Sequence, residues 1–374
     1  MTIIRARRLF TGAEEFTPGE LEFVDDRIIG VGVPGNRRPD IQVDTLVPGF
    51  VDVHNHGGGG VNFSDNPVAA VAGHRRHGST TIIASLVSQP IDVLETHVRK
   101  LAPFVTDGVL AGIHLEGPWL SPGYKGAHPE DALCDPTLVD VDRLLDAGQG
   151  TVRMVTLAPE RPGAMAAIRR IVERGAVAAL GHSAADFTTA REAIAAGVTG
   201  ATHLFNAMPP MHHRTPGPVL ALLDDERVWL ELIVDGVHLD PALAAWVART
   251  CPDRSVLITD AMAASCCGDG RYALGNLAVD VHDGVARVSG TDTIAGSTIT
   301  LDAAVRNCVR AGVPWHQAIR SATILPARFV GLDDVGILAV GLRADAVVLT
   351  DMCTVERVLF RGEWVNADNR TRTR

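Results

Sequence analysis

The sequence predicts an α/β chain: a TIM-like (β/α)8 barrel beside a small β-sandwich domain formed from the N- and C-terminal segments. Three observations predict it. Eight short β-branched runs alternate with Ala- and Leu-rich stretches of helical period. The two ends of the chain lack that alternation and read as strands alone. Six of the eight runs end in an ionisable or metal-binding residue, and barrels carry their chemistry at the C-terminal ends of their strands.

Taken in order, residues 1 to about 45 hold strand-like runs at Thr2–Arg7, Glu20–Val24 and Arg27–Val33, the last two around an Asp25-Asp26 turn. This segment is too small to bury a core alone. The barrel runs follow at Val47–Val53, Thr80–Val87, Val109–Leu115, Val152–Leu157, Ala176–Leu180, Gly200–Leu204, Val228–Val234 and Ser255–Thr259. Between them lie stretches of helical period such as Ile91–Pro103, Ala164–Arg174, Ala185–Ala196 and Pro241–Arg249. A doubly wound sheet competes with the barrel, but no G-x-G-x-x-G follows the first run. After Asp260 comes a less regular insert, then a helix over Asp302–Ala311 and a helical pair through about Val330. The tail returns to strands at Gly336–Val340, Ala346–Leu349 and Arg357–Val365, which are expected to pair with the N-terminal strands. The expected division is a small β-domain from residues 1–46 and 335–374, and a barrel from 47–334.

The chain's 374 residues leave room for this arrangement, and 46% hydrophobic residues with 5% aromatics fill a large core mainly with Ala, Val, Leu and Ile. A net charge of -10 argues against nucleic acid or an anionic membrane as the main partner, while leaving a small anion open. The six cysteines form no CxxC pair, and the adjacent Cys266 and Cys267 are poorly placed for an unstrained disulfide, which suits reduced thiols in the cytoplasm. The first ten residues have no apolar signal core, and no run approaches a membrane span.

The chemistry begins at His54-Asn55-His56, followed by four glycines. Residues i and i+2 of a strand share a face, so His54 and His56 either hold a metal between their imidazoles or sit solvated at a strand end. Later strand ends bring His114 and Glu116, His182, His203 and Asn206, Asp235 and His238, and Asp260. Glu116, His182 and His203 make a one-carboxylate, two-imidazole set that suits a borderline divalent ion such as zinc. Asp260 is then the proton shuttle, taking a proton from water and returning it to the leaving group; the bland alternative is an N-cap. His114, one layer deeper than Glu116, reads as structural. His74, His77, His97 and His316, on helix faces, read as ordinary polar residues.

Eight motifs in order carry a resemblance: PGFVDVHNHGGGG (48–60), HLEGPW (114–119), KGAH (125–128), GHS (181–183), THLFNAM (202–208), DGVH (235–238), TDAM (259–262) and AGST (295–298), with the tail VGILAVGLRADAVVL (335–349). On these the chain resembles the amidohydrolase superfamily and, within it, the N-acetylglucosamine-6-phosphate deacetylase branch. The two lysines, Lys100 and Lys125, do not directly follow a strand. The resemblance then implies that Glu116 takes the place of the carboxylated lysine that bridges two metals in many amidohydrolases.

The resemblance implies that Glu116, His182 and His203 hold the principal metal. It implies that His128 stabilises the acetyl oxyanion and that Asp260 is base and then acid. Asn206, the Ala207 backbone, Arg214 and His238 would bind the sugar phosphate, with Ala127 and the Ile294-Ala295-Gly296 turn lining the sugar site. One or two ions per subunit are implied, most readily Zn²⁺, with Fe²⁺, Co²⁺ or Mn²⁺ as alternatives. His54 and His56 would serve the second ion, with Glu116 bridging. A homodimer sharing the phosphate site is implied. His212 and His213 read as loop residues, and Cys266-Cys267 as an adventitious zinc binder. The implied reaction hydrolyses N-acetylglucosamine 6-phosphate to glucosamine 6-phosphate and acetate, in amino-sugar catabolism or cell-wall recycling. The competing readings are an amidohydrolase acting on another N-acyl or cyclic amide, and a non-catalytic barrel that binds metal or sugar phosphate.

Overall fold

The computed structural model describes residues 1–365; the remainder of the predicted C-terminal segment, 366–374, lies outside the described residues. Eight parallel strands form the central sheet: β1 (Phe50–Asn55), β2 (Ser79–Leu86), β3 (Gly112–Glu116), β4 (Val152–Leu157), β5 (Val177–Leu180), β6 (Val198–Ala201), β7 (Trp229–Ile233) and β8 (Ser255–Ile258). Their order in the sheet follows their order in the chain. The ends meet beyond β8, where Asn55 and Ala261 form a parallel bridge, Asp260 N donates to His54 O at 2.9 Å and His56 N to Ala261 O at 2.7 Å. The predicted (β/α)8 barrel is therefore present, and its seam lies at its functional end.

A helix follows every strand: α1 (Pro67–Arg75), α2 (Ile91–Thr106), α3 (Leu138–Gly148), α4 (Ala164–Glu173), α5 (Phe187–Ala196), α6 (Gly217–Asp224), α7 (Pro241–Thr250) and α8 (Leu301–Arg310). Local chemistry marks their starts. Asn66, Thr137, Asp186 and Asp240 each accept a first-turn backbone N–H, and Pro67 and Pro241 sit where a missing N–H costs nothing. The inner faces of the helices and the outer faces of the strands make the largest apolar cluster. A second cluster fills the barrel, where Val51, Val53, Ile83, Met154, Ile233 and Ile258 meet Ile324, Leu325 and Phe329. The last three belong to the short helix Ile324–Phe329, which plugs the bottom of the barrel.

Strands from both termini share one sheet. Thr2–Phe10 pairs with Gly19–Val24 and with Ile41–Pro48, and Ile41–Pro48 pairs on its other side with Ala346–Leu349. The predicted run Val47–Val53 is thus divided between two sheets at Gly49, where an added Cβ would lie 2.1 Å from Thr80 Oγ1. The insert after Asp260 is more regular than expected. It is an antiparallel meander of Gly270–Leu274, Leu277–His282 and Val285–Val288. Its second turn, Asp283-Gly284, has φ of +52° and +73°, the geometry that makes this dipeptide a hairpin signal. Among the described residues no helix is long and apolar enough to cross a membrane.

Two outcomes follow from this packing. Leu325→Ala, which empties a fully buried site under the barrel, lowers unfolding free energy by about 2–5 kcal/mol in urea titration. Asp302, in the first turn of α8, is pushed up by burial but brought down to about 2 by His77, Thr300 and Arg306. Its folded pKa lies below its ordinary value, so its contribution is present above about pH 4 and is lost as pH falls toward 2. Asp302→Asn then costs about 2 kcal/mol at pH 6, shrinking progressively below pH 4, in unfolding curves of both proteins.

Candidate active site

At the C-terminal end of the barrel, five imidazoles turn a nitrogen toward one carboxylate. Glu116, the last residue of β3, is buried and presents Oε1 to His182 Nε2 at 3.2 Å, His203 Nε2 at 3.1 Å and His54 Nε2 at 3.5 Å. Its Oε2 faces His56 Nε2 at 3.1 Å and His128 Nε2 at 3.3 Å. The five rings come from four parts of the barrel rim. His54 lies near the end of β1 and His56 just past it, His128 follows β3, and His182 and His203 lie just past β5 and β6. A register shift between Asp52 and Asn55 against β2 inserts one extra residue in β1. The bulge re-aims the chain: Val51 and Val53 pack inside the barrel below it, and His54 and His56 face the site above it.

The backbone is also held in unusual conformations here. His182, His203, Ala207 and Asp260 all have left-handed φ, at +47°, +31°, +51° and +48°. Such conformations cost free energy outside glycine and persist where surrounding structure enforces them, often at functional sites. Gly296 makes room for one of them. Its φ is +62°, and a Cβ there would lie 2.8 Å from Asp260 O.

Hydrogen bonds determine which nitrogens carry lone pairs. His182 Nδ1 lies 2.8 Å from the Tyr124 carbonyl, which can only accept, so Nδ1 donates and neutral His182 turns a lone pair toward Glu116. His54 Nδ1 likewise donates to Glu231 Oε2 at 3.0 Å, so the neutral ring has its lone pair on Nε2. Two sets of ligand atoms converge. Glu116, His182 and His203 form one, with ligand atoms 3.0–3.2 Å apart. His54, His56 and Asp260 form the other, at 3.1–3.4 Å. Tetrahedral zinc with nitrogen and oxygen ligands has ligand–ligand edges of about 3.3 Å, so both sets fit such an ion.

The charge balance agrees. Burial works against protonation of His54, yet Glu116, Glu231 and Asp260 outweigh it and hold its pKa well above the ordinary value. His56, opposed by the same burial, is raised to about 9 by Asp260 and Glu116. Burial alone would raise Glu116 and Asp260, but the surrounding imidazoles hold both below the usual carboxylate range. The centre demands positive charge, which a divalent cation supplies. His128 differs. Ser88 N–H donates to its Nδ1 at 3.1 Å, so the proton of neutral His128 is on Nε2, and burial lowers its pKa to about 4. It is a neutral donor aimed into the cavity.

That cavity has a volume of about 430 Å³, within the range of small-molecule sites. Its lining includes Glu116, Ala127, His128, His182, His203, Asn206, Ala207, His238, Asp260, Ile294 and Gly296. His238 donates from Nδ1 to Asp235 at 2.7 Å; burial opposes its protonation, but Asp235 and Asp260 raise its pKa. Two expected residues stand apart. Ala295 is fully buried in an apolar cluster beneath the lining. Arg214 is exposed and held against His213 Nε2 at 2.7 Å, in the same loop as the exposed His212. Cys266 and Cys267 are unpaired thiols outside the lining, with Cys266 packed against Gly73.

Several participants escaped the sequence reading. Glu231 is fully buried, orients His54 and accepts from His203 N at 3.2 Å. A carboxylate centred in the apolar run Trp229–Val234 was the signal for it. Asn55, between the paired histidines, donates to Asp52 at 2.9 Å and Thr259 at 3.2 Å, so a buried polar network supports the strand end. Ser88, Leu274 in the meander, and Asp292 and Thr293 just after it carry no sequence signal for their place at the site.

The amidohydrolase family model matches residues 45–365. An N-acetylgalactosamine-6-phosphate deacetylase of Escherichia coli O157:H7 is 37% identical, covering 96% of this chain and 98% of that protein. The human N-acetylglucosamine-6-phosphate deacetylase is 37% identical over 95% of this chain and 90% of its own. Among solved structures, an N-acetyl-D-glucosamine-6-phosphate deacetylase of Mycobacterium smegmatis superposes with a TM-score of 0.95 at 49% identity. That match covers 97% of this chain and 99% of the other, an aspartate-to-alanine mutant in complex with N-acetyl-D-glucosamine-6-phosphate. With its barrel, its rim of histidines and a match over most of its length, this chain belongs to the amidohydrolase family.

Proposed function

We propose that the chain hydrolyses N-acetyl-D-glucosamine 6-phosphate to D-glucosamine 6-phosphate and acetate. The observation that carries the reading is the pair of converging acceptor sets around Glu116, with Asp260 at the floor of one cavity. The substrate class is supported by relatives of that activity that align along nearly the whole chain. Glu116, His182 and His203 would hold one divalent ion, and His54, His56 and Asp260 a second with Glu116 between them. The nitrogen-rich donor set favours zinc over harder cations. A divalent ion bound there acidifies water and polarises the acyl oxygen.

The chain's own residues do the rest. Asp260, facing the cavity, accepts a proton from the attacking water as oxygen bonds to the acetyl carbon. His128 Nε2–H donates to the oxygen on which negative charge develops, and its neutrality lets it do so without competing for the proton. Asp260 then returns the proton to the sugar nitrogen as the C–N bond breaks, which leaves amine and acetate. Asn206, Ala207, His238 and the 294–296 turn would hold the sugar, beside Ala127.

The phosphate needs a cation, and among the described residues no lysine or arginine lines this cavity. We assign that role to Arg214 of the partner subunit in a homodimer, because this loop arginine is exposed and near the rim residues Asn206 and Ala207 in sequence. A small-molecule substrate, no nucleic acid, no membrane and a cytoplasmic setting complete the reading, with a role in amino-sugar catabolism or cell-wall recycling.

Acetate release across a substrate panel tests the whole. The expected order is N-acetylglucosamine 6-phosphate well above its non-phosphorylated sugar, N-acyl amino acids and cyclic imides; the galactosamine epimer in the panel measures stereochemical tolerance. Preference for a substrate without phosphate overturns the reading. Asp260→Asn is expected to retain at least the ion held by Glu116, His182 and His203, by elemental analysis, while kcat falls about 10²–10⁴-fold. Arg214→Ala raises KM for the phosphorylated sugar and leaves the non-phosphorylated one unchanged. Chelation abolishes turnover, and added Zn²⁺ restores it.

A further inference from the structure

His56 is a wall between two compartments. On one side its Nε2 faces Glu116 and Asp260, each at 3.1 Å. On the other lies a small separate cavity of about 20 Å³, lined by His56, Asn62, Gln89 and His97 among others. Two buried atoms of this lining's residues have no protein partner: His56 Nδ1 and Asn62 Oδ1. They are complementary. Asn62 Nδ2 donates to Asp65 at 2.9 Å, which settles the orientation of its amide and leaves Oδ1 as an unmet acceptor. An imidazole Nδ1–H is a donor, and a donor and acceptor left buried without partners are costly. A cavity of this size accommodates one water, for which about 10–15 Å³ is enough when polar partners surround it.

We propose that Asn62 is a positioning residue for His56, acting through one water that accepts from His56 Nδ1–H and donates to Asn62 Oδ1. His54 has Glu231 and His182 has the Tyr124 carbonyl on the far side of the ring. Asn62 and the water do the same for His56. The pinned Nδ1–H keeps the Nε2 lone pair on the side of Asp260 and Glu116, and the outer partner of a ligating imidazole sets both its orientation and its basicity. The ion held by His54, His56 and Asp260 therefore depends on Asn62, and the ion held by Glu116, His182 and His203 does not. This inference rests on the reading of both acceptor sets as metal sites, and its test is independent of turnover.

Zn²⁺ alone is titrated into metal-free wild type, Asn62→Leu and Asn62→Ala by equilibrium dialysis with elemental analysis. Wild type takes up two equivalents. Asn62→Leu, of similar size but without an acceptor, keeps the first within about twofold and weakens the second about 10–100-fold. Asn62→Ala leaves room for a second water in place of the carbonyl and recovers part of that loss. Uptake of a single equivalent by saturated wild type overturns the proposal. So does wild-type affinity for both equivalents in Asn62→Leu, or parallel weakening of both with a lowered Tm, which marks a general structural role. A crystal structure of wild type with no water joining the two atoms overturns it too. A failure here leaves the substrate panel untouched, because acetate release from the sugar phosphate is read separately.

Discussion

Everything at the rim of this barrel depends on burying the carboxylate of Glu116 amid five imidazoles. A carboxylate removed from water is costly unless its charge is met, and neutral imidazoles meet it only when a proton or a cation lies between them. The protein resolves this by orienting the rings from behind. Glu231 and the Tyr124 carbonyl take the outer protons of His54 and His182, so that lone pairs converge on shared points. His128 is held the opposite way, by the Ser88 amide, and presents a proton. Candidate ligand and donor are the same residue type here; for His54, His182 and His128 the difference lies in one hydrogen bond behind the ring.

The barrel makes that arrangement affordable in backbone terms. Strands rising side by side from an apolar interior end at nearly one height, so residues far apart in sequence arrive within 3–4 Å without long loops. The left-handed conformations of His182, His203 and Asp260 are the local cost of turning each side chain inward at the moment its strand stops. The plug of Ile324, Leu325 and Phe329 fills the other end of the barrel with apolar side chains.

Much of this was legible in the residues. Strand runs separated by helical stretches announced the alternation, because period 2 and period 3.6 leave different apolar patterns. The candidate ligands were legible because His and carboxylate residues at strand ends are chemically conspicuous. What stayed hidden depends on three-dimensional neighbours. Ser88 is a common residue whose importance comes from lying against His128. The bulge in β1 leaves the HxH pattern unchanged while deciding which way it faces. The meander after Asp260 was read as irregular because its strands are short and half-exposed, although Asp283-Gly284 carried a turn signal. Ala295 sits in a motif whose neighbours line the cavity, yet in the turn its methyl packs into the apolar cluster behind them.

The sheet that joins the two ends of the chain has a consequence for biosynthesis. Ile41–Pro48 pairs on one side with Thr2–Phe10, which leaves the ribosome before it, and on the other with Ala346–Leu349, about 300 residues later. At bacterial and eukaryotic elongation rates that interval is about 15–60 s. Throughout it the nascent chain carries an open strand edge bearing Leu46 and Val47, the kind of edge that recruits other strands. The barrel can assemble strand by strand as it emerges, but its companion sheet stays incomplete until Ala346–Leu349 is made. That open edge lies in the terminal sheet and not in the barrel, so the chain's exposure to wrong pairing arises at a place separate from its chemistry.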